Sequence, residues 1–186
     1  MRLFAAVDTP DELKAALDSF STRLRPAAEL SWSRPENLHI TTQFIGEWPQ
    51  ERLAELETAL AGVPRPGAID IAIKGVDWFP AGSLASVLQP RVFFAGVQGG
   101  EALRSLARAT GEALARIGVA IEERAYSPHL TLARMRASVP LEAFHKALHT
   151  FPAGCGVEFG NFRATQFHLY SSANGKYTQR AAFPLE

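Results

Sequence analysis

Two short patterns in this chain place a titratable ring beside a hydroxyl: His39-Ile40-Thr41 and His129-Leu130-Thr131. Each lies in an apolar, β-branched run, Leu38 to Ile45 and Leu130 to Arg134, that reads as a strand. Residues two apart on a strand share a face, so each pattern sets an imidazole next to a threonine hydroxyl. By the same alternation Ile40, Phe44, Leu130 and Leu132 are expected on the opposite, core-facing side. One His-x-Thr is a weak signal, but two at matching positions of the two halves are a stronger one. An ordinary His pKa of about 6.5 makes both charge states accessible near neutrality. If the two strands adjoin or face one another, a phosphate fits between them. One neutral imidazole then takes a proton from water while the other, protonated, gives one to a departing alkoxide. Thr41 and Thr131 donate to non-bridging oxygens, and the imidazolium and hydroxyls stabilise the developing charge without a metal. A zinc site would need a third ligand, and no carboxylate or thiol recurs beside the pair. A structural polar pair explains one motif well and the repetition poorly.

The elements that must position these residues alternate strand with helix, twice over. Leu3 to Asp8 reads as a buried strand, followed by a helix to about Leu24 with Asp8 or Thr9 as its cap and Pro10 in its first turn. After the first motif, Pro49 opens a helix with Leu53, Leu56 and Leu60 on one side. Ile69 to Phe79 and Arg91 to Val97 are expected strands, and Glu101 to Ile117 is a long amphipathic helix. Val119 to Arg124 reads as a strand ahead of the second motif. Pro140 to Thr150 is an expected helix, and three strands close the chain over 157–162, 164–171 and 177–183. The last two are joined through Asn174-Gly175, a strong hairpin signal. The halves suggest an internal duplication, with two similar lobes facing each other.

Bulk properties narrow the function further. The 186 residues suit one domain, and 47% apolar with 20% charged residues is ordinary globular composition. Nineteen basic residues balance nineteen acidic ones, which argues against coating long nucleic acid through bulk charge but leaves room for gripping one phosphate. The lone Cys155 excludes an intramolecular disulfide. No apolar run is long enough to span a membrane, and the opening MRLFAAVD is too short for a signal sequence, so a cytoplasmic location is expected.

The twin motifs and their flanks resemble the 2H phosphoesterase superfamily, and more closely its RNA 2′,3′-cyclic phosphodiesterase (2′-5′ RNA ligase-like) branch. MRLFAAVDTPDEL resembles that family's opening strand and helix, LSWSRPENLHITTQFIGE and AYSPHLTLAR its two motifs, and FHLYSSANGKYTQRAAFPL its closing hairpin. The resemblance covers most of the chain. It implies an α+β fold of two lobes with pseudo-two-fold symmetry, antiparallel sheets lining a central cleft, and residues 1–186 as one bilobal domain. It implies metal-independent hydrolysis of RNA 2′,3′-cyclic phosphate termini to a 2′-phosphomonoester, with weak reversible 2′-5′ ligation. On the family pattern His39 is the proton donor to O3′, His129 the proton acceptor from water, and Thr41 and Thr131 hold the phosphate. The order of acid and base rests on the resemblance alone. No cofactor or metal is implied, the partners are RNA 3′ ends or small nucleotides bearing the cyclic phosphate, and a monomer without an obligate protein partner is expected. The pattern departs at Thr42, where the family usually has an apolar residue.

Other residues are weaker candidates. Arg134, five after His129, suits a phosphodiester, but strict alternation puts it on the wrong face unless the strand ends or bulges first. Gln43 shares the His39 face by parity, and Tyr126 is a candidate for stacking on a base, although half-buried packing is the commoner role. His145 and His149 are four apart on a helix without an evident third ligand, and His168 and the tryptophans Trp32, Trp48 and Trp78 read as structural. Two rival functions remain: a phosphodiesterase for another small cyclic phosphate or a 2′-5′ linkage, and a non-catalytic RNA-end or nucleotide-binding module.

Overall fold

The computed structural model describes residues 1–80, 89–120 and 124–186. Among these residues nine strands and four α-helices follow the expected order: β1 (Arg2–Asp8), α1 (Asp11–Leu24), β2 (Ser31–Trp32), β3 (His39–Glu47), α2 (Leu53–Ala61), β4 (Ile69–Phe79), β5 (Val92–Gln98), α3 (Gly100–Ala115), β6 (His129–Arg134), α4 (Glu142–His149), β7 (Glu158–Ala164), β8 (Gln166–Ala173) and β9 (Lys176–Pro184). The two-residue β2 has no counterpart in the sequence reading, being too short to show periodicity. The strand expected from Val119 to Arg124 falls on 121–123, which lie outside the described residues.

All pairings are antiparallel and make two sheets, β3-β1-β8-β9 and β2-β6-β5-β4-β7. Apart from β2, the two follow one pattern. Each motif strand pairs with the strand that precedes the helix before it, β3 with β1 and β6 with β5. The third strand is exchanged: β4, from the first half, lies beside β5, while β8, from the second, lies beside β1. Each half thus completes the other's sheet. One buried cluster runs from Leu3 and Val7 through Leu17, Ile71, Trp78, Phe93 and Leu130 to Phe144 and Leu169.

Local signals set the elements as expected, with one difference at the first helix. Pro10 occupies the cap position of α1 without a side-chain bond, and the Asp8 carboxylate accepts from the Thr9 N–H instead (2.9 Å). The closing turn behaves as its residues require, with Asn174 and Gly175 at φ of 51° and 73°.

Both motif strands carry a β-bulge three residues after the histidine. In β3, Thr41 pairs with Ala6 and Gln43 with Ala5, leaving Thr42 as the extra residue. In β6, Thr131 pairs with Phe94 and Ala133 with Phe93, leaving Leu132 as the extra residue. The expectation that strict alternation holds through both strands is therefore corrected beyond this point. Phe44 is not on the core side: it pairs with Phe4, shares that residue's face, and is 56% exposed. Gln43 is turned off the His39 face, and its Oε1 lies against Gly111 of α3.

Candidate active site

His39 and His129 each begin a strand, and each is oriented by its own backbone. The Nδ1–H of His39 donates to the carbonyl of Asn37 (2.6 Å), and that of His129 to the carbonyl of Ser127 (2.8 Å). In both cases the acceptor lies two residues back, just ahead of the strand. This fixes the tautomer and leaves Nε2 as the working atom of each neutral ring. His39 Nε2 meets the Thr41 hydroxyl at 3.0 Å. His129 Nε2 has no hydrogen bond among the described residues.

Aromatic rings pack both imidazoles. Phe4 stacks on His39 at 4.7 Å between centroids, and Tyr177 meets it edge-on at 5.2 Å. Phe79 and Phe94 approach His129 edge-on at 4.9 and 5.6 Å. This apolar surround lowers both basicities by desolvation. His39 falls to about 4: burial outweighs the opposing carbonyl of Asn37 and the Asp8 carboxylate, and the charges of His129 and Lys14 add smaller lowering contributions. His129 is also lowered, chiefly by burial and then by the Arg134 guanidinium, against the Ser127 carbonyl.

The motif strands are tied to each other by two reciprocal hydrogen bonds. The Tyr126 hydroxyl, from just ahead of the second motif, donates to the Thr41 carbonyl (3.0 Å). The Ser33 hydroxyl, from just ahead of the first motif, donates to the Thr131 carbonyl (2.8 Å). Each half thus holds the backbone of the other half's threonine. Tyr126 is half-buried against the core, its hydroxyl is occupied, and burial raises its pKa, so it fits the packing role better than a stacking surface. Sequence reasoning did not single out Ser33, because a lone serine ahead of a strand carries no signal.

The bulge at Leu132 restores Arg134 to the His129 face, where its charge reaches that ring. The structure thus brings His39, Thr41, His129, Thr131 and Arg134 into one region. His168 lies on the same face of its sheet, level with Thr41 through Ala6, but is 4% exposed and its Nδ1 is unpartnered. His145 and His149 stay apart from the site on α4, the Nδ1–H of His149 donating to the His145 carbonyl (2.7 Å). Among the described residues no three His, Cys, Asp or Glu side chains cluster as metal ligands, and no helix is long and apolar enough to cross a membrane.

Comparison with known proteins agrees with this geometry. The family model for LigT-like phosphoesterases matches residues 7–87. The chain is 34% identical over 142 residues to an RNA 2′,3′-cyclic phosphodiesterase of Archaeoglobus fulgidus, covering 75% of this chain and 76% of that protein. It is 30% identical over 173 residues to one of Methanocaldococcus jannaschii, covering 92% and 91%. A Geobacillus stearothermophilus protein of the same name is 31% identical over 98% of this chain, which spans only 56% of that relative's length. Among solved structures, one from Thermus thermophilus superposes with a TM-score of 0.77 at 28% identity, covering 100% of this chain and 98% of that one. Escherichia coli LigT complexed with 3′-AMP superposes at 0.73 and 25% identity, over 98% and 97% of the two chains. With its twin His-x-Thr strands and its two antiparallel sheets, the chain belongs to the LigT-like phosphoesterase family of 2H phosphoesterases.

Proposed function

We propose that this protein hydrolyses RNA 2′,3′-cyclic phosphate termini to 2′-phosphomonoesters without a metal. The observation that carries the reading is the matched pair of imidazoles, each with Nδ1–H spent on a main-chain carbonyl and Nε2 left for proton transfer beside a threonine hydroxyl. The names of the relatives support the same reaction class.

In the proposed mechanism Thr41, Thr131 and Arg134 bind the non-bridging oxygens. His129 Nε2 takes a proton from water as its oxygen attacks phosphorus. The bond from phosphorus to O3′ breaks, and His39 Nε2 delivers the proton that O3′ needs. The electron pair of that bond stays on O3′, leaving the phosphate on O2′. His39 is neutral at pH 7 in the free site. The bound phosphodiester anion, an opposite charge beside the ring, raises its basicity against the desolvation that lowers it, and so prepares it as the donor. The same steps with a 5′-hydroxyl attacking in place of water give weak 2′-5′ ligation, and run backwards, with O3′ attacking phosphorus and the 5′-oxygen leaving, they cleave that linkage. Residues 1–186 act as one bilobal unit, working as a monomer in the cytoplasm.

The test is to incubate the purified protein, with EDTA present, with a short RNA ending in 2′,3′-cyclic phosphate. A 2′-phosphate product made by the wild type and not by the His39→Ala/His129→Ala double variant is expected. A 3′-phosphate would reverse which bond breaks and with it the placing of the acid. Binding without turnover would instead favour a nucleotide-binding module, and inhibition by EDTA relieved by a divalent ion would overturn the metal-free reading.

A further inference from the structure

We propose that Asp8 is a positioning residue for the proton donor, its carboxylate favouring a proton on His39 and Lys14 limiting that effect; this rests on the phosphodiesterase reading. Three observations converge. First, Asp8 pairs directly with His39 across the β1–β3 ladder. Residues so opposed share a face, with Cβ atoms roughly 4.5–5.5 Å apart. Second, the two halves differ at this place. The residue paired with His129 is Gly96, which brings no side chain, and the charge that reaches that ring is the Arg134 guanidinium. An anion thus stands by the ring assigned to give a proton, and a cation by the ring assigned to take one. Third, the carboxylate is itself held in place. Asp8 Oδ1 accepts from the Thr9 N–H (2.9 Å) and lies 3.0 Å from the ammonium of Lys14, a largely buried side chain on α1.

The electrostatics follow from this placement. Burial disfavours a proton on His39, and an opposite charge beside the ring offsets part of that penalty. Lys14 and a charge on His129 work the other way. The phenols of Tyr170 on β8 and Tyr177 on β9 also face the ring, with centroids at 6.4 and 5.2 Å. His168 of β8 lies across β1, level with Ala6. Among the described residues Asp8 is therefore the anion that acts on the donor. At a pH where both imidazoles are mostly neutral, the rate follows the fraction of protein with a proton on His39. The balance of Asp8 against Lys14 sets that fraction.

The test removes each charge separately. Asp8→Asn keeps an acceptor for the Thr9 N–H and leaves Lys14 near the ring, so His39 becomes harder to protonate. Lys14→Met keeps the apolar stem and frees the carboxylate, so His39 becomes easier to protonate. The readout is NMR titration of the imidazole C–H protons in the unliganded protein, assigned with His39→Gln and His129→Gln. The His39 midpoint is expected to move to lower pH in Asp8→Asn and to higher pH in Lys14→Met. At pH 8, kcat/KM for adenosine 2′,3′-cyclic phosphate should fall roughly 3- to 10-fold in the first variant and rise in the second. Asp8→Glu should recover most of the loss. A purely structural pair would lower activity in both variants and leave the midpoint in place. Midpoints that move in the same direction, or not at all, overturn the proposal. If Asp8→Asn does not fold, Lys14→Met decides alone, an unchanged or lowered His39 midpoint overturning it. If no cyclic phosphate is turned over, the phosphodiesterase reading fails on its own, while the midpoints still decide whether Asp8 governs His39.

Discussion

Removing either imidazole should show what the pair is worth. His39→Ala and His129→Ala are each expected to lower kcat/KM by about 10²–10⁴-fold, the usual contribution of one acid or base. Full activity in both folded variants would sink the mechanism. The pH dependence carries a sign fixed by burial. Turnover needs one proton on the pair, and both rings lose theirs below the ordinary 6.5, His39 near 4. The kcat/KM profile should therefore peak on the acid side of 6.5 and fall towards alkaline pH, while kcat, measured with the anion bound, peaks higher. A kcat/KM optimum at pH 8 or above would contradict this. The same shift affects stability. Because the folded chain holds His39 neutral, its contribution is complete above pH 6.5 and is lost as pH falls towards 4, on the order of 3 kcal/mol. A flat urea midpoint across that window would show His39 to be more solvated than the structure has it. At this scale the sequence showed placement: residues two apart on a strand set the His39 imidazole beside the Thr41 hydroxyl. The main-chain carbonyls that orient both rings were not legible, because any residue supplies one.

The elements decide which residues reach the rings, and here alternation misled. The bulges at Thr42 and Leu132 carry no glycine and no breaker, so nothing in the residue types announced them, and Phe44 and Gln43 were placed on the wrong faces in consequence. Arg134 escaped only because a bulge was allowed for. Elements also hold the two motifs together. β3 is the edge strand of its sheet, and β6 is flanked on its outer side only by the two residues of β2, so carbonyls there need partners from elsewhere. Tyr126 and Ser33 supply them reciprocally. Tyr126→Phe and Ser33→Ala should each cost about 1 kcal/mol of unfolding free energy, the usual net worth of one such bond. Since both bonds join the same two motifs, the double variant should depart from additivity by about 0.5 kcal/mol or more. Denaturant unfolding of the four proteins measures this, and additivity within error would mean that the bonds act separately. A third constraint sits opposite His129, where a methyl group at Gly96 would lie 2.5 Å from the Lys74 carbonyl. That oxygen is backbone and cannot step aside, so Gly96→Ala should destabilise the chain and displace β5 from under the ring, lowering both the thermal midpoint and kcat. A variant with an unchanged midpoint would show that β4 and β5 have slack at this point.

For the whole molecule, the repeated His-x-Thr pattern told of two halves, but not that they exchange strands. Which strand pairs with which is a long-range choice made by the packing of faces, and β4 and β8 read alike as apolar, alternating runs. The exchange has a thermodynamic consequence. If each half built its own sheet, the two could open separately at the cleft. Instead β4 leaves the first half to lie beside β5, β8 leaves the second to lie beside β1, and a single buried cluster spans both. Unfolding one half therefore strips a central strand from the other, and the two should melt together. Two tryptophans report on the separate sheets. Trp48 follows β3, and its main-chain N–H donates to the Met1 carbonyl beside β1. Trp78 lies in β4 against Phe93 of β5, with ring centroids 5.1 Å apart. In Trp32→Phe/Trp78→Phe the fluorescence follows the first sheet, and in Trp32→Phe/Trp48→Phe it follows the second. Within each variant the urea midpoint read by fluorescence should coincide with that read by far-ultraviolet circular dichroism. A fluorescence transition that precedes the loss of secondary structure in either variant would mean that one sheet opens alone, and that residues 1–186 do not behave as a single cooperative unit.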